Sequence, residues 1–256
     1  MATWEIADAR ALLNWYAAMG VDESIGDEPI NSFAPPTPEF GKAKPAPRQV
    51  APKCTVAEAI SFDRGSIAEA VTLAALKTLV SQFDGCGLKR TAKSLCFSRG
   101  SEQAHLMLIG EAPGRDEDLQ GKPFVGRAGQ MLDRMLAAIG LDETHFYITN
   151  TVYWRPPGNR TPTPEEIEAC APFLARQIEL LKPQVLVLLG GAAAKSILGA
   201  SEGIMRLRGK WLSYPSAAGD IPTLATLHPA YLLRNTADKR LAWRDLLLVK
   251  KALETP

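Results

Sequence analysis

Apolar side chains recur along this chain in two periods. Over residues 3–19, Trp4, Ile6, Ala9, Leu12, Leu13, Tyr16 and Met19 return at the spacing of one helix face, which predicts an N-terminal helical extension within 1–30. Residues 31–60 keep no such period. Their proline-dense run NSFAPPTPEFGKAKPAPRQVAP predicts an extended linker. The helical rhythm resumes over 65–82 with Ile67, Val71, Leu73, Leu76, Leu79 and Val80. Beyond it lie four short, largely branched apolar runs at 106–109, 146–149, 185–189 and 223–227, the pattern of strands buried on both faces. Helical patterns separate them. Met131, Leu132, Met135, Leu136 and Ile139 form one stripe closed by Gly140. Another runs over 164–181, opened by Thr163 as N-cap, Pro164 at the first position and Glu166 at the third. A third spans 238–253. This alternation predicts an α/β domain over 61–256, a four-stranded parallel sheet flanked by helices.

The segments just past the strands are chemically richer than the strands themselves. The first run leads into Gly110-Glu111-Ala112-Pro113-Gly114, the second into Asn150, the third into Gly190-Gly191 and the fourth into His228-Pro229. Open parallel sheets bind ligands at the carboxyl ends of their strands, so Glu111, Asn150 and His228 are expected to share one crevice. Asn150 offers a donor and an acceptor side by side, and could equally cap a turn. His228 could be structural, yet it is one of only three histidines and falls at the predicted edge. In GEAPGRDEDLQGKPFVGRAGQ, Glu111 could orient a water and Phe124 could stack on a flat ring, while Asp116-Glu117-Asp118 reads as a solvated acidic run.

Charge changes the picture little. A net charge of +1 over 256 residues argues against indiscriminate polyanion binding and leaves room for a local basic rim. Three groups could form one: Arg155 with Arg160, then Arg206, Arg208 and Lys210, then Arg234 with Lys239, Arg240 and Arg244. No stretch approaches the roughly 18 uninterrupted apolar residues of a membrane span, and no cationic start precedes an apolar run, so a cytoplasmic protein without membrane contact is expected. The four cysteines, at 54, 86, 96 and 170, include no CxxC pair.

Taken together, GEAPGRDEDLQGKPFVGRAGQMLDRML, YITNTVYWRPPGNRTPTPEEIEAC, VLVLLGGAAAK, IMRLRGKW and HPAYLLRN resemble the family 4 uracil-DNA glycosylases over about residues 75–253. The resemblance implies a monofunctional enzyme that hydrolyses the N-glycosidic bond of flipped deoxyuridine and leaves an abasic site in DNA. Its catalytic positions fall on Glu111 and His228, and its substrate-binding positions on Ala112, Phe124, Asn150 and Asn159. Its wedge, which holds the duplex open, falls on Tyr231, Leu232, Leu233 and Arg234, and the basic groups at Arg155, Arg160, Arg208 and Lys210 are expected to supply the DNA rim. Such an enzyme is expected to act as a monomer on uracil-containing DNA. The other reading is a degenerate relative that binds uracil or abasic DNA without turnover. The chain departs from the family at its iron–sulfur ligands. Of the four positions only Cys86 and Cys170 are thiols, and the others are Phe83 and Trp154. With about four thiolates needed, neither cluster nor other metal is expected.

Overall fold

The computed structural model describes residues 64–217 and 219–254. The predicted helix over 3–19 and the linker over 31–60 lie outside the described residues.

Six strands form one sheet: β1 Arg99–Gly100, β2 Leu106–Gly110, β3 Phe146–Asn150, β4 Val185–Leu189, β5 Trp211–Ser216 and β6 Gly219–Thr226, in the order β1-β3-β2-β4-β6-β5. The four central strands are parallel and are the four that the sequence predicts. Two antiparallel edge strands extend them, so the sheet is mixed. The helices are α1 Arg64–Glu69, α2 Leu73–Gln82, α3 Arg115–Gln120, α4 Arg127–Ala137, α5 Pro164–Leu181, α6 Gly191–Leu198, α7 Ile204–Leu207, α8 Pro229–Arg234 and α9 Lys239–Glu254.

Strands β2, β3 and β4 are buried at every residue. Alternate side chains along them feed opposite layers, as the pleat requires. Leu106, Leu108, Ile148, Val185 and Val187 face the layer of α4, α8 and α9, while Met107, Ile109, Tyr147, Leu186 and Leu188 face that of α5 and α6. A third apolar cluster joins α1, α2 and α5 to Val152, Tyr153 and Trp154 just beyond β3.

Two expectations need correction. The single helix over 65–82 is two, α1 and α2, because Thr72 turns its hydroxyl to the N–H of Ala75 at 3.1 Å and caps a fresh start. A threonine that caps competes with continuing the helix. The fourth strand begins at Gly219 rather than 223, since β5 pairs along its outer flank from Trp211 to Ser216. Helix α5 starts and stops at the predicted residues, with Thr163 and Glu166 satisfying each other's backbone N–H at 3.3 and 2.8 Å.

Candidate active site

The parallel strands deliver their ends to one edge, and there a cavity of about 520 Å³ opens. Glu111, Asn150 and His228 all line it, with Ala112, Phe124, Asn159 and Arg160. His105 and His145 immediately precede β2 and β3, so they lie at the opposite edge.

Asn150 ends β3 opposite Gly110 of β2. It is 1 % exposed, and neither its Nδ2 nor its Oδ1 has a hydrogen-bond partner among the described residues. A buried amide costs free energy unless paired, so such a side chain marks a place where a ligand completes the bonding. Gly110 is required beside it, because a Cβ there would overlap Asn150 Oδ1 and the Phe124 ring. Thr151 donates its hydroxyl to the Glu111 carbonyl at 2.6 Å and its N–H to the Gly110 carbonyl at 2.9 Å, which fixes the backbone under Glu111.

His228 is the N-cap of α8, its Nδ1 accepting the N–H of Ala230 at 3.1 Å. That bond assigns the proton to Nε2 in the neutral ring. Burial, with a smaller contribution from Arg234, pushes its pKa down to about 4. The ring is therefore a neutral donor at physiological pH. It stands 5.7 Å from the Phe124 ring centroid, inclined by 33°. Phe124 itself is buried and holds a left-handed backbone at φ +55°.

The proposed DNA-contacting residues divide. Arg155 donates from Nε to Asn159 Oδ1 at 2.7 Å, orienting a side chain of the crevice wall. Arg160 lines the crevice with its guanidinium paired in two bonds, 2.8 and 2.6 Å, to Glu166 at the start of α5. Tyr231 lines the crevice and donates to Asp238 at 2.6 Å, and Arg234 is exposed at the rim. Leu233 is half-buried on the other side of α8, beside α4 and α9. Lys210 is exposed ahead of β5, away from the crevice wall.

Two residues do not stand where a DNA contact would need them. Leu232 is fully buried in the core, because in a short helix it shares the inward face with Pro229 three positions earlier. Arg208 pairs with Asp245, 1 % exposed, through Nε and Nη2, and also donates to the Leu241 carbonyl at 2.8 Å. The acidic run also behaves otherwise than as a solvated one. Asp118 is buried and accepts the N–H groups of Lys93 and Ser94 at 2.8 and 3.1 Å, and Glu117 lines the crevice. The G-x-x-E spacing from Gly114 to Glu117 was the available signal for the latter.

The sequence profile of the uracil DNA glycosylase superfamily matches residues 97–247, which contain every strand end described above. The chain belongs to the uracil DNA glycosylase superfamily. Among similar glycosylases is a type-4 uracil-DNA glycosylase of Archaeoglobus fulgidus, 44 % identical over 58 % of this chain and 76 % of the relative. A type-4 uracil-DNA glycosylase of Saccharolobus solfataricus is 39 % identical over 66 % of this chain and 81 % of its own length. The type-4 uracil-DNA glycosylase of Thermotoga maritima is 37 % identical over 68 % and 91 % respectively. No described helix of this glycosylase is long and apolar enough to cross a membrane.

Proposed function

We propose that this glycosylase excises uracil from DNA chiefly by stabilising the departing base. The observation that carries the mechanism is the buried amide of Asn150, without a hydrogen-bond partner among the described residues, in the same crevice as a neutral His228. A base turned out of the duplex stacks on Phe124, with its O4 and N3–H paired to the Asn150 amide. Cytosine presents the opposite donor and acceptor there, which leaves buried groups unpaired on both sides. As the C1′–N1 bond breaks, the electron pair goes to the base and charge gathers on O2, where His228 Nε2–H donates. One preorganised donor of this kind is worth about 3–4 kcal/mol. Glu111 holds the water whose oxygen bonds to C1′, and the water's proton passes to the carboxylate or to solvent. Ala112 leaves no second carboxylate beside it, so the burden falls on the leaving group. Arg234, exposed on α8 at the crevice rim, contacts the flanking strand, and a single chain supplies the crevice, in keeping with action as a monomer.

The test is a duplex oligonucleotide bearing one deoxyuridine. Incubation followed by alkali should break the strand at that position, and omitting alkali should leave it intact because no lysine stands at a nucleophile position. Binding without any alkali-sensitive product would favour a non-catalytic reader of uracil.

The site where the family resemblance places a cluster does not fit one. Cys86 and Cys170 are buried with their thiols in contact, and that contact together with burial pushes the Cys170 pKa far up. Trp154 is 3 % exposed among the same apolar residues, and Phe83 packs on Phe173 with ring centroids 4.9 Å apart. Two aromatic side chains that cannot ligate iron thus occupy two of the four ligand positions. Elemental analysis of anaerobically purified protein should find no stoichiometric iron in an enzyme that excises uracil. Iron at cluster stoichiometry would overturn this assignment.

A further inference from the structure

Glu117 turns its carboxylate inward and accepts three backbone N–H groups. Gly114 donates to Oε2 at 3.1 Å, and Val125 and Gly126 donate to Oε1 at 3.0 and 2.9 Å. The first belongs to the loop that carries Glu111 and Ala112. The other two come directly after Phe124. Reaching back to Gly114 is ordinary capping of α3, but the bonds to Val125 and Gly126 span eight and nine residues and serve no turn of that helix. They hold the residue after Phe124 at the point where its backbone takes the left-handed φ of +55°, which residues with a Cβ rarely adopt. The surroundings are shaped to the same end. A Cβ at Gly129 would overlap the Phe124 carbonyl, and one at Gly126 would come within 3.2 Å of Glu117 Oε1.

We propose that Glu117 is a positioning residue for uracil excision: by clamping the two loops it locks Phe124 in its left-handed turn and fixes the ring on which the base stacks. The inference rests on the reading of Phe124 as that stacking ring. Glu117 acts through this backbone and does not touch the reacting atoms. A carboxylate suits the task because all three partners are donors and both oxygens accept, and bonds from N–H to an ionised acceptor are the strong ones. Glutamine keeps one oxygen for Val125 and Gly126 but turns an N–H₂ toward the Gly114 N–H. Alanine releases both loops. Displacing a positioning group by about an ångström costs on the order of 100-fold in rate.

The experiment is a double-substitution cycle on the full chain, read by single-turnover excision from a deoxyuridine duplex at saturating enzyme. Each variant is assayed below its own measured melting temperature. Glu117→Ala and Phe124→Ala should each slow excision by about 100-fold. If the carboxylate works through Phe124, the double variant should match the slower single variant within about twofold, whereas independent effects would multiply. Affinity for a uracil-free duplex should stay within about twofold of the parent, and Glu117→Gln should recover at least about tenfold over alanine. Wild-type excision by Glu117→Ala, or multiplying losses, would overturn the proposal while leaving a slow Phe124→Ala to support stacking. Wild-type excision by Phe124→Ala would instead remove the stacking reading, and the Glu117 role with it. Should Glu117→Ala fail to fold, Glu117→Gln with Phe124→Ala gives the same cycle.

Discussion

Replacing Arg208 with alanine would strip the guanidinium partner from a carboxylate that is 1 % exposed. Asp245 takes bonds from Arg208 and from the Thr226 hydroxyl at 2.7 Å, and so ties α9 to the last residue of β6, two positions before His228. Removing one partner of a buried pair costs about 3–5 kcal/mol, and the lost bond to the Leu241 carbonyl adds about 1 kcal/mol. Protonation sets a ceiling. Burial already holds the Asp245 pKa above the ordinary carboxyl value, and taking up a proton at pH 7 from a reference near 3.9 costs about 4 kcal/mol. In the variant the native state therefore holds a proton that the unfolded state has released, and stability falls as pH rises. Denaturant unfolding at two pH values checks this: the loss should be about 3–5 kcal/mol at pH 7 and about 2–3 kcal/mol smaller at pH 5. The salt dependence of DNA binding should be unchanged. A loss under about 1 kcal/mol, or a salt slope reduced by about one contact, would return Arg208 to the DNA-binding face.

Asn150→Asp should slow uracil excision and admit slow excision of cytosine, since a protonated Asp can donate to cytosine N3; unaltered rates on both bases would make Asn150 a turn residue. His228 predicts a pH effect on stability. Its folded pKa, about 4, lies below the reference of 6.5, so its contribution is complete above 6.5 and declines by up to about 3 kcal/mol as pH falls toward 4. Subtracting the unfolding free energies of His228→Ala from those of the parent across that range isolates the term, and a flat difference would contradict it.

Legibility in the sequence depended on where each residue finds its partner. Strands β2, β3 and β4 stood out because burial on both faces leaves largely apolar runs, and their ends therefore marked the crevice. Edge strand β5 did not, since it alternates exposed and half-buried residues and contains Pro215. Asn150 and His228 were visible as polar residues closing apolar strands. Arg208 was not assignable, because its partner Asp245 lies 37 residues away and only folding brings them together. The same holds for Leu232, whose inward face depends on how α8 packs, and for Glu117, whose bonds to Val125 and Gly126 come from a loop rather than a helix period.

The central claim is that the crevice breaks the glycosidic bond by stabilising the leaving uracil through His228. Single-turnover excision of deoxyuridine from a duplex, read after alkaline cleavage, tests it in the parent and in His228→Ala. The account predicts robust excision by the parent and a loss of about 100-fold or more in the variant, with affinity for the duplex little changed. Equal rates in the two proteins would contradict it.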